Sequence, residues 1–137
     1  MISRKAEYAI LILAEMALHN RNTRLSSREI AANRSIPVNL VSQLLPVLRK
    51  SGWISGTRGP KGGIVLVVDP AKLSLHQVIE AVDGKTIITR CLTENLPCSA
   101  KKHCPLRTVW QEAQKSMTAK LSQVTIKELS INLLNDN

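Results

Sequence analysis

Residues 25–52 constrain this chain more than any other stretch. "LSSREI" carries the marks of a helix start: Ser26 at the N-cap, Glu29 three residues on as a capping box, and Leu25 and Ile30 at the staple positions. The helix it opens is short and ends near Asn33. "SIPVNLVSQLLPVLRKSG" follows almost at once and predicts a second helix, with Pro37 pre-setting its first turn and Gly52 ending it. Val41, Leu44, Leu45 and Leu48 make a stripe to bury, and Asn39, Ser42, Gln43, Arg49 and Lys50 lie on the other side. Two short helices joined by a tight link, the second with a polar face, read as a helix-turn-helix. Pro46 removes a backbone hydrogen bond in mid-helix, at a cost of about 3 kcal/mol in an isolated helix. Its ring falls on the polar face, seven residues from Asn39, and a bend is expected there.

The flanking segments extend this plan. "WISGTR" and "IVLVVD" are strand-like, and "GPKGG" between them has the chemistry of a hairpin tip. A hairpin after a helix-turn-helix is a wing, and Arg58 and Lys61 at its tip could reach phosphates or a minor groove. Residues 3–19 predict a first helix with apolar side chains at 6, 9, 10, 13, 16 and 17, widened by Leu11 and Ile12, so that it packs on more than one side. "LSLHQVIEAVDG" predicts a fourth helix, capped by Ser74 and Gln77, stapled by Leu73 and Val78 and stopped by Gly84. A long amphipathic helix starts at Leu106, with apolar positions 106, 109, 110, 113, 117, 121 and 124. Thr125 and Glu128 open a last short one. The fold expected is mainly α: a winged helix-turn-helix DNA-binding domain over 1–83, a cysteine-containing loop over 84–105, and a dimerisation helix with a short C-terminal helix over 106–137. The long helix needs a partner for its stripe, and a second copy of the chain supplies one; two-fold dimers match palindromic operators.

Charge agrees with a nucleic-acid partner. The 137 residues carry a net charge of +9, unevenly spread. Residues 1–62 hold ten Lys/Arg against three Glu, whereas residues 63–137 hold nine against seven acids. Phe is absent, and the aromatics are Tyr8, Trp53 and Trp110. So few rings argue against a single-strand platform, which stacks bases on exposed aromatics, and favour a duplex. No run of eighteen apolar residues exists, so no membrane span is expected, and the protein reads as cytoplasmic.

All three cysteines fall in "CLTENLPCSAKKHC", as Cys91, Cys98 and Cys104. The spacing lacks the paired CxxC of zinc ribbons and of dithiol redox sites. Soft thiolates on one loop suit iron–sulfur ligation, with Lys101, Lys102 and Arg107 near an anionic group. Zinc on three Cys plus His103, a Cys98–Cys104 disulfide with a spare thiol, and three free thiols are the other readings. No Ser/His/Asp set, phosphate loop or paired acids appears, so no enzyme is expected.

"EYAI", "SSREIA", "IPVNLVSQLLPVLRKSGWI", "RGPKGG", "VIEAVDG" and three cysteines before a long helix, in this order, resemble the IscR/NsrR family of bacterial winged-helix regulators. The resemblance covers about residues 1–130. It implies a homodimer on palindromic promoter DNA, sensing redox state, nitric oxide or iron through a 2Fe-2S or 4Fe-4S cluster in each cysteine loop. It also implies a set of DNA contacts. These are Ser27 and Arg28 on the second helix, Pro37, Val38, Asn39, Ser42, Gln43 and Lys50 on the recognition helix, and Arg58, Gly59, Pro60, Lys61 and Gly62 on the wing. Position 43, often acidic in cluster-sensing relatives, is Gln here. The ligands implied are Cys91, Cys98 and Cys104. In one branch a His three residues past the last cysteine is the fourth, but that place holds Arg107, which cannot ligate. In other relatives a carboxylate of the partner subunit's first helix serves, and Glu7 stands at the matching place. The alternative within the family is a cluster-free regulator controlled by thiol oxidation, zinc or a protein partner.

Overall fold

The computed structural model describes residues 1–57, 62–93 and 104–135. They form α1 (Arg4–Ala17), α2 (Ser27–Arg34), α3 (Val38–Lys50), β1 (Ile54–Thr57), β2 (Gly63–Leu66), α4 (Leu75–Asp83), α5 (Pro105–Gln123) and α6 (Ile126–Asn135), with 3-10 turns at Pro70–Lys72 and Arg90–Leu92. The chain is mainly helical with one two-stranded antiparallel sheet, the winged-helix plan expected from the sequence. No helix among the described residues is long and apolar enough to cross a membrane.

Local chemistry sets most of the boundaries. Ser3 caps α1 by accepting from the Ala6 amide at 3.1 Å, and its own amide donates to Asp83 Oδ2 at 2.8 Å, joining the start of α1 to the end of α4. Ser26 Oγ accepts from the Glu29 amide at 3.1 Å. At Ser74 the box closes in both directions with Gln77. α3 ends in a Schellman turn. Gly52, at φ +82°, donates to the Arg49 carbonyl, and Trp53 donates to the Leu48 carbonyl. The helix is continuous through Pro46, whose ring is exposed.

The core collects Ile12 and Leu13 of α1, Ile30 of α2, Val41, Leu44 and Leu48 of α3, Ile54 and Ile64 of the hairpin, Leu73, Val78 of α4 and Ile126 of α6. Ile10 and Leu11 of α1 remain half-buried, so the buried face of this helix is narrower than its apolar run. The hairpin pairs Ile54 with Leu66 and Thr57 with Gly63. The described ladder ends at the Ile54–Leu66 pair, where the Trp53 carbonyl takes both the Val67 and Val68 amides. Leu25 and Ile64 exchange both backbone bonds, at 3.0 and 2.8 Å, and so stitch the hairpin to the residue before α2.

The end of the chain returns to this core. Leu75 donates to the Val124 carbonyl and Ile126 to the Leu73 carbonyl, and Ile126 is fully buried. α6 packs on α1. α5 differs from every other helix in having no buried residue; Leu106 is 56% and Val109 54% exposed.

Candidate nucleic-acid interface and cysteine segment

The spacing of α3 sorts its residues. Val41, Leu44, Leu45 and Leu48 face the core, and Val38, Asn39, Ser42, Gln43 and Pro46 are exposed together, with Pro37 at the cap and Lys50 exposed in the last turn. Ser27 and Arg28 open α2, the first half-buried and the second exposed. Gly62 is half-buried just before β2. Arg58, Gly59, Pro60 and Lys61 lie outside the described residues.

Two arginines outside the sequence-derived contact set meet the hairpin. Arg24 donates to Thr57 Oγ1, joining the chain before α2 to β1. Arg49 lies over Gly56, where an added Cβ would come within 3.1 Å of its Nη2. A groove of about 350 Å³ runs between the start of α2, α3 and the hairpin, lined by Ser26, Ser27, Leu45, Arg49, Thr57 and Gly63. Cations and the open amides of helix starts around a groove offer donors and positive potential to phosphates. The sequence shows both arginines as charge, but only the fold brings Arg24 to Thr57, 33 residues away.

Behind this face lies a buried ionic cluster that the periodicity of α1 shows only as a break in an apolar run. Glu15 is 3% exposed. Its carboxylate accepts from Arg34 Nε at 2.6 Å and Asn33 Nδ2 at 2.8 Å, with His19 Nε2 at 3.3 Å. Burial by itself would raise the Glu15 carboxyl; the hydrogen bonds, those of Arg34 and Asn33 foremost, outweigh it and hold the carboxyl below the usual carboxylate range.

The cysteine segment begins along α5. Gln114 donates to the Thr86 carbonyl at 2.7 Å and accepts from the Ile88 amide at 2.9 Å. Arg107 donates to the Cys91 carbonyl at 3.3 Å. These bonds fasten residues 86–91 to α5, whose N-cap is Cys104. Cys91 is exposed, Cys104 half-buried, and both are free thiols. Cys98, Lys101, Lys102 and His103 lie outside the described residues. Glu7 is exposed on the first turn of α1 and pairs with Arg4 at 3.2 Å. Among the described residues of the chain, no three His, Cys, Asp or Glu converge as a metal-binding group, so Glu7, Cys91 and Cys104 do not form one. As donors the two thiols suit soft metal ligation, on elements already held together.

Residues 2–132 match the family model described as "Rrf2: Iron-dependent Transcriptional regulator". The HTH-type transcriptional regulator IscR of Yersinia pseudotuberculosis serotype O:1b is 29% identical over 131 residues, which is 96% of this chain and 79% of that protein. Among solved structures, CymR (YrzC), the global cysteine regulator of B. subtilis, superposes with a TM-score of 0.79 at 24% identity, over 96% of this chain and 97% of that one. T. potens IscR superposes with a TM-score of 0.74 at 23% identity, over 97% and 88%. Both share the fold of this chain.

Proposed function

The chain belongs to the Rrf2 family of transcriptional regulators, and from that premise we propose that it is a homodimer on palindromic promoter DNA whose affinity is set by an iron–sulfur cluster held by Cys91, Cys98 and Cys104. In this reading residues 1–83 bind DNA in the cytoplasm, residues 84–105 sense, and residues 106–137 carry the dimer helix. Ser27 and Arg28 take phosphates. Asn39, Ser42 and Gln43 read base edges from α3, flanked by Pro37, Val38 and Lys50, and residues 58–62 follow the backbone or minor groove.

The observation that carries the sensing role is the place of the thiols. Cys91 and Cys104 are fastened to α5, the helix that has no fully buried residue and leaves Leu106 and Val109 exposed. A change at the cysteines therefore acts at the joint between the two DNA-binding halves of a dimer. When bound, a cluster supplies a crosslink of thiolates that oxygen or nitric oxide can undo. Arg107 cannot ligate and instead holds the Cys91 backbone in place. Glu7 of a second protomer is the proposed fourth ligand, a hard carboxylate that leaves its iron open to attack. Freeing the segment alters the spacing of the two recognition helices without changing any contact residue.

The test is the visible spectrum and the iron and sulfide content of protein purified without oxygen. A brown wild type is expected, with Cys91→Ala, Cys98→Ala and Cys104→Ala each bleaching it and Glu7→Ala keeping the cluster with altered oxygen sensitivity. A wild type that takes up no iron moves the assignment to thiol, zinc or partner control.

A further inference from the structure

Resting on the DNA-binding reading, we propose that Glu15 is a positioning residue for the DNA-binding face: from α1 it sets the seating of α2 and of the turn into α3. α2 is only eight residues long and buries just Ile30 and Ala31. A helix this short does not stand alone, and two apolar side chains define its rotation weakly. Its start is fixed by the Leu25–Ile64 bridge and the Ser26 cap. Its end is gripped by Glu15. Consecutive residues take opposite oxygens of one buried carboxylate: Asn33 donates to Oε1 at 2.8 Å and Arg34 to Oε2 at 2.6 Å. Two such bonds fix both where the helix end lies and how it is turned about its axis.

No slack follows the grip. Ser35 is at φ +54°, the one described non-glycine residue with a positive φ. Ile36 is buried and donates to the Ala31 carbonyl at 3.0 Å, and Pro37 then caps α3. A shift at Asn33 and Arg34 therefore reaches Pro37 and Val38 directly, while Ser27 and Arg28 stay anchored at the fixed start of α2. Base reading depends on this placement, because hydrogen bonds to base edges tolerate little displacement. General attraction to phosphate falls off slowly with distance and depends on it far less.

The experiment uses the full chain, purified without oxygen. One duplex is selected by the wild type from a randomised library, and a second is scrambled, with the same length and composition. Glu15→Gln keeps the size of the side chain and removes its charge. The ratio of affinities for selected over scrambled DNA should fall about tenfold, with affinity for the scrambled duplex and its salt dependence unchanged. Arg34→Lys keeps the charge but loses the planar Nε donor; it should show a smaller fall in the same ratio, and it carries the test if Glu15→Gln does not fold. Equal losses on both duplexes mark a merely structural role and overturn the proposal, as does an unchanged ratio in folded protein. A wild type that enriches no sequence overturns the DNA-binding reading itself, and the positioning role with it.

Discussion

Gly63 shows how a single position ties the hairpin to the helices. Its φ is +155°, and an added Cβ would lie 3.0 Å from Arg24 Cβ and 3.2 Å from the Leu25 carbonyl oxygen. The Leu25–Ile64 backbone pair forces this approach, so what must move is the Leu25 main chain and the Cβ rooted on the backbone beside it. Gly63→Ala is expected to cost about 1–3 kcal/mol of stability, read by denaturant unfolding. Glu15 contributes to the acid limb. Its folded carboxyl is held below the ordinary value, so its contribution to stability is complete above the unfolded value and is lost as pH falls through the folded one. Unfolding midpoints measured between about pH 6 and pH 2 should fall in the wild type, and Glu15→Gln should be less stable at the upper end with a shallower decline. Gly63 was readable as a hairpin glycine from "GPKGG". The grip of Glu15 on Asn33 and Arg34 was not, because they lie 18 and 19 residues away on another helix.

α3 and the hairpin are expected to divide their labour. Gln43 is exposed on the face opposite the Val41–Leu48 stripe, where its amide can address a base edge. Gln43→Ala should cost about 1–3 kcal/mol at particular base pairs and little elsewhere. Lys61→Ala should weaken every duplex to a similar degree and reduce the slope of affinity against salt by about one. Binding titrations on matched and mismatched duplexes at several salt concentrations separate the two; equal losses for both variants on both duplexes would reject the division. The stripe of α3, its glycine stop and the Ser74–Gln77 box all stood in the sequence, because caps and periodicity act within a few residues. The end of β2 did not. The Trp53 carbonyl ends the ladder by accepting two amides, a choice that depends on how the hairpin meets the helices.

For the molecule as a whole the feature that calls for a partner is the exposed first turns of α5. Leu106 and Val109 are exposed on a nineteen-residue helix with no buried residue, whereas the apolar faces of α1, α3 and α4 are covered. A second copy of the chain is the expected cover. Trp110, half-buried on the same helix, is expected in that seam. Trp110→Asp places a charge there and should weaken the dimer by about 3 kcal/mol, roughly a hundredfold in its dissociation constant, while the winged helix stays folded. Sedimentation at micromolar concentration reads the result, and a monomeric wild type would reject the dimer.

The sequence by itself determined the winged-helix plan, the stripe and polar face of α3, the helix caps, the basic N-terminal half and the clustering of three cysteines ahead of a long helix. These follow from interactions within a turn or two of chain, or from residue type alone. Only the tertiary structure decided that Glu15 holds the end of α2, that Arg24 and Arg49 meet the hairpin at Thr57 and Gly56, that Gln114 and Arg107 fasten the Cys91 segment to α5, and that Ile126 brings the last helix into the first helix's core. Each joins residues separated by at least a loop or a helix. A pattern along the chain says which side chains must be buried or paired, but the partner is chosen by packing.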